Sequence, residues 1–171
     1  MKKLLTIFLT TASVAVFAQA TTKSVLLEQL KNTHNVKNWF VPVNTAVEGL
    51  TPEQAAWKDK GGHSVGQLTF HLLFWNERQL KDFRGEKKVS FSGNNEETFD
   101  KFDQKQWTDV VKRLDQVLTD IEKWIETAND DQLKKHSNTI ANISAHNAYH
   151  TGQIISVRKA QGSWDVEKGV K

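Results

Sequence analysis

The chain has 171 residues, 25 % of them charged and 38 % hydrophobic, with no cysteine, two prolines and a formal charge of +3, the make-up of one soluble globular domain. The absence of cysteine excludes disulfides, thiolate catalysis and lipidation at an N-terminal Cys, which leaves packing or a metal to hold an exported fold. Charges of both signs alternate along the chain, and after the first residues no Lys/Arg run exceeds a pair such as Lys87-Lys88, so nucleic acid is excluded as the main partner.

Residues 1–20 read as a signal peptide. Lys2-Lys3 precede the apolar run from Leu4 to Leu9, and the segment closes on Ala18-Gln19-Ala20, a small-x-small cleavage pattern. This predicts an exported protein, periplasmic or secreted, with one domain over residues 21–171 and no membrane partner once the leader is gone. Removal of Lys2 and Lys3 lowers the formal charge from +3 to +1.

Beyond the leader the apolar spacing follows the helical period, which predicts an all-α protein. A first helix over residues 22–47 carries Leu27, Leu30, Phe40 and Val43, with a kink or break at Pro42. Residues 50–63 hold one short helical turn at Thr51-Pro52-Glu53-Gln54 and end in Gly61-Gly62. A second long helix opens at Ser64, which with Gln67 forms a capping box, and runs to Phe83 with Val65, Leu68, Leu72 and Trp75 as its buried stripe. Residues 85–103 place Gly93-Asn94-Asn95 between Phe91 and Phe99, and read as a surface loop with aromatic anchors, the alternative being a flap over a pocket. The helix over residues 104–127 has one continuous stripe from Trp107 to Ile125. The last helix is expected to start at 137–139 and to stop before Gln161-Gly162. The glycosylation-type triplet Asn142-Ile143-Ser144 falls inside it and is read as chance.

His146 and His150, four residues apart on that helix, lie on one face about 6 Å apart at Cβ, close enough to chelate one divalent cation. Spacing alone also fits an exposed pair, but the polar line Asn142, His146, His150 and Gln153 runs beside the apolar line Ile143, Ile154 and Val157. His71 sits at the edge of the second helix's buried stripe and is the third candidate. Three imidazoles would make an open metal site that keeps a position for water. His34, His63 and His136 sit in polar or loop sequence and read as surface residues. Gln67, Asn142 and Gln153 suit orientation of ligands or substrate, and Tyr149 either reaches a ligand from the rim or packs on the helix flank. Glu77, six residues past His71, is rotated away from it, and no general base is identified.

The phrases Ser64-Val65-Gly66-Gln67-Leu68-Thr69-Phe70-His71-Leu72 before Trp75, and His146-Asn147-Ala148-Tyr149-His150-Thr151-Gly152-Gln153-Ile154, resemble the DinB/YfiT-like family over most of the chain after the leader. The resemblance implies a four-helix bundle of up-down-down-up type, often a homodimer. It further implies one divalent metal, zinc or nickel, held by His71 on the second helix and by His146 and His150 on the fourth. Relatives include proteins described as metal-dependent hydrolases and others that use a low-molecular-weight thiol for transfer or isomerisation, and fold alone does not choose between them. The reading favoured here is an exported metal-dependent hydrolase of a small molecule, its pocket lined by residues 91–102. A non-catalytic metal- or ligand-binding module is the alternative. A thiol S-transferase ranks below both, because its reduced thiol is a cytoplasmic resource. Without metal, the three histidines would be a neutral polar patch in the bundle.

Overall fold

Each of three long helices starts on a side chain that caps its first turn. The computed structural model describes residues 20–87 and 90–170, so the expected leader lies, apart from Ala20, outside the described residues. Reciprocal capping boxes pair Thr21 with Ser24 before α1 (Thr22–His34). Between them and the next long helix come two short ones, α2 (Val43–Val47) and α3 (Pro52–Ala56), the latter capped by Thr51 with Gln54. The expected box of Ser64 and Gln67 opens α4 (Val65–Phe83). A fourth box of Asn129 and Gln132 opens the last helix. Replacing Ser64 by Ala removes the cap of the helix that carries His71. The expected cost is about 1 kcal/mol, read as a lower urea midpoint at unchanged m-value.

Two boundaries differ from the sequence reading. The first helix stops at His34, well short of Pro42, and Pro42 instead precedes the first residue of α2. Proline disfavours helix in the residue before it as well as within the preceding turn, so a helix cannot run through Pro42, and the helix resumes directly after it. The last helix begins two turns earlier than expected, because Asn129 caps it and Asp130 and Asp131 complement its N-terminal dipole.

The remaining elements are the short α5 (Glu97–Asp100), a 3₁₀ turn over Gln104–Gln106, α6 (Trp107–Thr127), α7 (Asp130–Gln161) and a 3₁₀ turn over Val166–Lys168. The described residues are all-helical, with no strand among them. Helices α4 and α1 each pack against both α6 and α7, so α1 lies diagonally across the bundle from α4. The core between them is aliphatic, with Leu30, Leu72, Leu118, Ile121, Ile140 and Ile154 fully buried. Arg158, buried in α7, donates to the carbonyls of Ala46, Glu48 and Ser163 at 2.6, 3.1 and 2.8 Å and ties α2 and the C-terminal segment to the bundle.

Polar cross-links reveal the helix directions. Glu77 meets Arg113 at 2.7 Å and Arg84 meets Asp120 at 3.0 Å, so α4 and α6 run parallel. Lys23 reaches the carbonyl of Glu126 while His34 reaches Asp115, so α1 and α6 are antiparallel. Two consecutive parallel helices cannot be joined by a tight turn, and residues 84–106 must travel back along α4, about 28 Å for its 19 residues.

His34 and His136 are not surface residues, contrary to expectation. His34 has 0 % exposure and lies between two carboxylates of α6, with Nδ1 2.6 Å from Glu122 Oε1 and Nε2 2.9 Å from Asp115 Oδ1. The polar context Asn32-Thr33-His34-Asn35 hid this. On α6, Asp115 and Glu122 are seven apart beside the apolar stripe, but nothing local to either helix says that His34 meets them. His136 is buried against the rings of Phe83 and Trp124, at 5.0 and 5.5 Å between centroids, where it serves as an aromatic wedge at the end of α4.

Candidate metal centre

The parallel course of α4 and α6 decides what covers the middle of the bundle. About a third of the way along α4, His71 is buried, and α7 crosses it so that His146 and His150 face the same point. One nitrogen from each of the three rings lies within 4.8 Å of the others. His71 Nε2 and His146 Nε2 are 3.0 Å apart, close to the roughly 3.3 Å that separates two ligand nitrogens of a tetrahedral ion at about 2.05 Å.

The neighbours of these rings fix which nitrogen carries the proton. Thr98 donates its single hydroxyl hydrogen to the carbonyl of Asn95 at 2.6 Å, so toward His71 Nδ1, at 2.5 Å, it can only accept. His71 is therefore protonated on Nδ1 and presents a lone pair on Nε2. His150 follows the same logic: Nδ1 donates to Gln153 Oε1 at 2.6 Å, while the amide nitrogen of Gln153 donates to the Tyr149 hydroxyl at 3.2 Å. Burial, reinforced by the other imidazoles, lowers the His71 pKa to about 3. Burial and His150 lower that of His146 to about 4. His150 is lowered as well, again chiefly by burial. The rings are thus held neutral, the form that ligates metal. Three neutral imidazoles with two lone pairs fixed from behind could hold one divalent ion, and they fit it in number, spacing and chemistry.

From residue 90 to residue 103 the expected aromatic anchors are present, and the segment also covers the histidines, as the flap alternative has it. Its ring of Phe102 lies where a Cβ on Gly66 would sit, 2.2 Å from the ring atoms, so glycine at this turn of α4 is required for the segment to seat. Phe91 packs edge-on against Phe74 and Trp75. Between these anchors α5 delivers Thr98 to His71 and lays Phe99 flat on the His71 ring, with centroids 4.0 Å apart and planes 5° apart. His63 stacks on the other face of Phe99 at 4.0 Å. It is therefore no ordinary surface histidine, and its Nε2 lies 3.5 Å from Glu96 Oε2.

A cavity of about 760 Å³ opens above the three histidines, walled by His63, Trp75, Glu96, Phe99 and Tyr149. Of the amides considered from sequence, Asn142 and Gln153 line it. Gln67 does not, because its side chain is spent accepting from the Ser64 amide at 3.0 Å. Glu77 points to Arg113 on α6, as its spacing from His71 predicts. Sequence reasoning placed the segment over residues 91–102 on the pocket, with Phe99 among its aromatic anchors, but assigned no role to Thr98 or Glu96. They belong to a segment without periodicity, and only its density of aromatic residues marked it.

Against this geometry the sequence profile of the DinB superfamily matches residues 43–154, more than half of the chain, from α2 to just beyond His150 of α7. The chain belongs to the DinB superfamily. No curated protein and no solved structure matches it. The matched span of this DinB-superfamily protein contains all three histidines, the crossover that covers them and His63. It ends before Arg158, so the tie between α7 and the C-terminal segment lies outside it.

Proposed function

We propose that this DinB-superfamily protein is a metal-dependent hydrolase of a small molecule, with His71, His146 and His150 as the ligands of one divalent cation, zinc or nickel. The observation that carries the reading is the set of three neutral imidazoles at the floor of an open cavity, His71 and His150 buried with their lone pairs aimed by Thr98 and Gln153, and His146 half-buried beside them. Bound there, the cation supplies Lewis acidity to oxygen atoms of water or substrate. The chain's own residues do the rest. Phe99 and Trp75 wall the cavity on its apolar side, and Asn142 offers an amide for orientation. The pair of His63 and Glu96 on the cavity wall takes the proton released when water oxygen adds to an acyl carbon, Glu96 holding the charge that His63 gains. The same proton then passes to the leaving group as its bond to carbon breaks. The leader-like residues 1–20 support export, so we place this activity outside the cytoplasm.

The test is elemental mass spectrometry of the untagged protein beside His71→Ala and His150→Ala, followed by a panel of esters and amides. One equivalent of metal per chain, lost in both variants, with turnover that falls on His63→Ala, is the expected result. Metal without turnover would make the protein a binding module, and no metal after reconstitution would overturn the reading.

A further inference from the structure

The cavity above the histidines does not end at Tyr149. A second hollow of about 770 Å³ lies along the outer face of α7 and shares His63, Tyr149 and Gln153 with the first. Its floor is Gly152, Ser156 and Val157, one wall is Leu68, and its far end is Trp57. Tyr149, 63 % exposed, stands at the junction, and Trp57 is 37 % exposed at the far end. Two large aromatic side chains left in water around one groove are unusual for residues with nothing else to cover them.

Gly152 adds a second observation. It sits inside a long helix, where glycine weakens the helix relative to alanine, and a Cβ built on it meets no atom within 4 Å. Packing within the chain does not ask for glycine here. What its bare backbone does is keep the floor of the hollow low beside the rim of the metal cavity. The charge pattern completes the description: among the described residues the two hollows are lined by the carboxylates of Glu96 and Asp59, and by no Lys or Arg. A second anionic group on a ligand would find no partner along this path.

We propose that the two hollows form one substrate cleft. The acyl group to be cleaved sits at the three histidines, and an uncharged apolar chain or ring of the same molecule runs past Tyr149 over Gly152 toward Trp57. The substrate class is thus esters or amides with a long apolar group, rather than small polyanions. This rests on the metal-dependent hydrolase reading and deepens it.

The experiment is calorimetric titration of the zinc-loaded protein with acetohydroxamate and with octanohydroxamate, which share a chelating head and differ in six methylenes. Acetohydroxamate is too short to reach Gly152 and is the internal reference. The longer compound is expected to bind ~20-fold more tightly, the gain from burying two or three methylenes at about fourfold each. In Gly152→Leu, whose side chain fills the floor and whose helix gains from losing glycine, the ratio is expected to fall to ~3-fold or less. Equal affinity of the two compounds in the wild type would overturn the proposal, as would a ratio unchanged in Gly152→Leu. If that variant alters the oligomeric state in light scattering while the ratio stands, the groove is a subunit interface instead. Absence of acetohydroxamate binding would remove the metal centre itself and the cleft with it, a result distinct from binding without a chain-length effect.

Discussion

Replacing His34 by Leu is expected to lower stability by about 3 kcal/mol, because it strands two carboxylates that the ring now joins. The figure sits at the low end for a broken buried pair, since Asp115 is 54 % exposed and keeps the amide of Asn44 at 2.6 Å. The same variant should change how stability depends on pH. Burial by itself lowers the His34 pKa, but the hydrogen bonds and charges of Glu122 and Asp115 outweigh it and raise it above the ordinary 6.5. A group raised in the folded state contributes fully below its unfolded value and loses that contribution as pH climbs through the folded one. Wild-type protein should therefore lose stability on the alkaline side of 6.5, and His34→Leu should not.

On the acid side the histidines of the metal centre act in the opposite sense. With His71 held near 3 and His146 near 4, the unfolded chain takes up protons below 6.5 that the folded chain refuses, so metal-free protein weakens as pH falls. Asp115, lowered by Asn44 and His34 against the effect of its burial, adds a loss below its ordinary 3.8. Urea unfolding of wild type and His34→Leu, both metal-free, from pH 3 to 9 checks this. Parallel curves above pH 6.5 would show that the His34 bridge carries no proton linkage.

Thr98→Val is expected to weaken zinc binding by roughly 10- to 100-fold while leaving the helical content unchanged. Valine keeps the shape of threonine but cannot accept from His71 Nδ1, so a buried N–H loses its partner and the ring loses the bond that sets its tautomer. Competition against a chromophoric chelator reads the change, and Thr98→Ser should restore most of the affinity. Wild-type affinity in the valine variant would reduce Thr98 to a local cap on the Asn95 carbonyl.

What could be read from the chain was whatever local spacing encodes. The Ser64 and Gln67 box, the apolar stripe of α6 and the His146 and His150 pair each lie within one helix, and each is found as expected. His71 was placed by its position on the stripe of α4, with the family resemblance deciding its partners. The environments of His34, His63 and His136 were out of reach because each is made by an element distant in sequence: α6 for His34, the crossover for His63, and the ends of α4 and α6 for His136. The start of α7 was missed for another reason. Its first turns are polar but for Leu133, so the cap at Asn129 was the better guide there than periodicity.

The parallel course of α4 and α6 has a consequence for how such a site can diversify. His71, His146 and His150 stand on helices whose positions are set by the aliphatic core, so their spacing is an outcome of bundle packing. Thr98, Phe99 and Glu96 come from a return path that the topology obliges the chain to make but whose sequence the core does not dictate, apart from the seat of Phe102 on Gly66. On the proposed reading the ligands thereby belong to the packed frame, while one wall of the cavity belongs to the crossover. A lineage could rewrite the crossover apart from Thr98 and the Phe102 seat, exchanging one wall of the cavity for another, without moving the three histidines on their helices, and a designer grafting new segments between Arg84 and Gln106 would keep those two positions and use the same freedom.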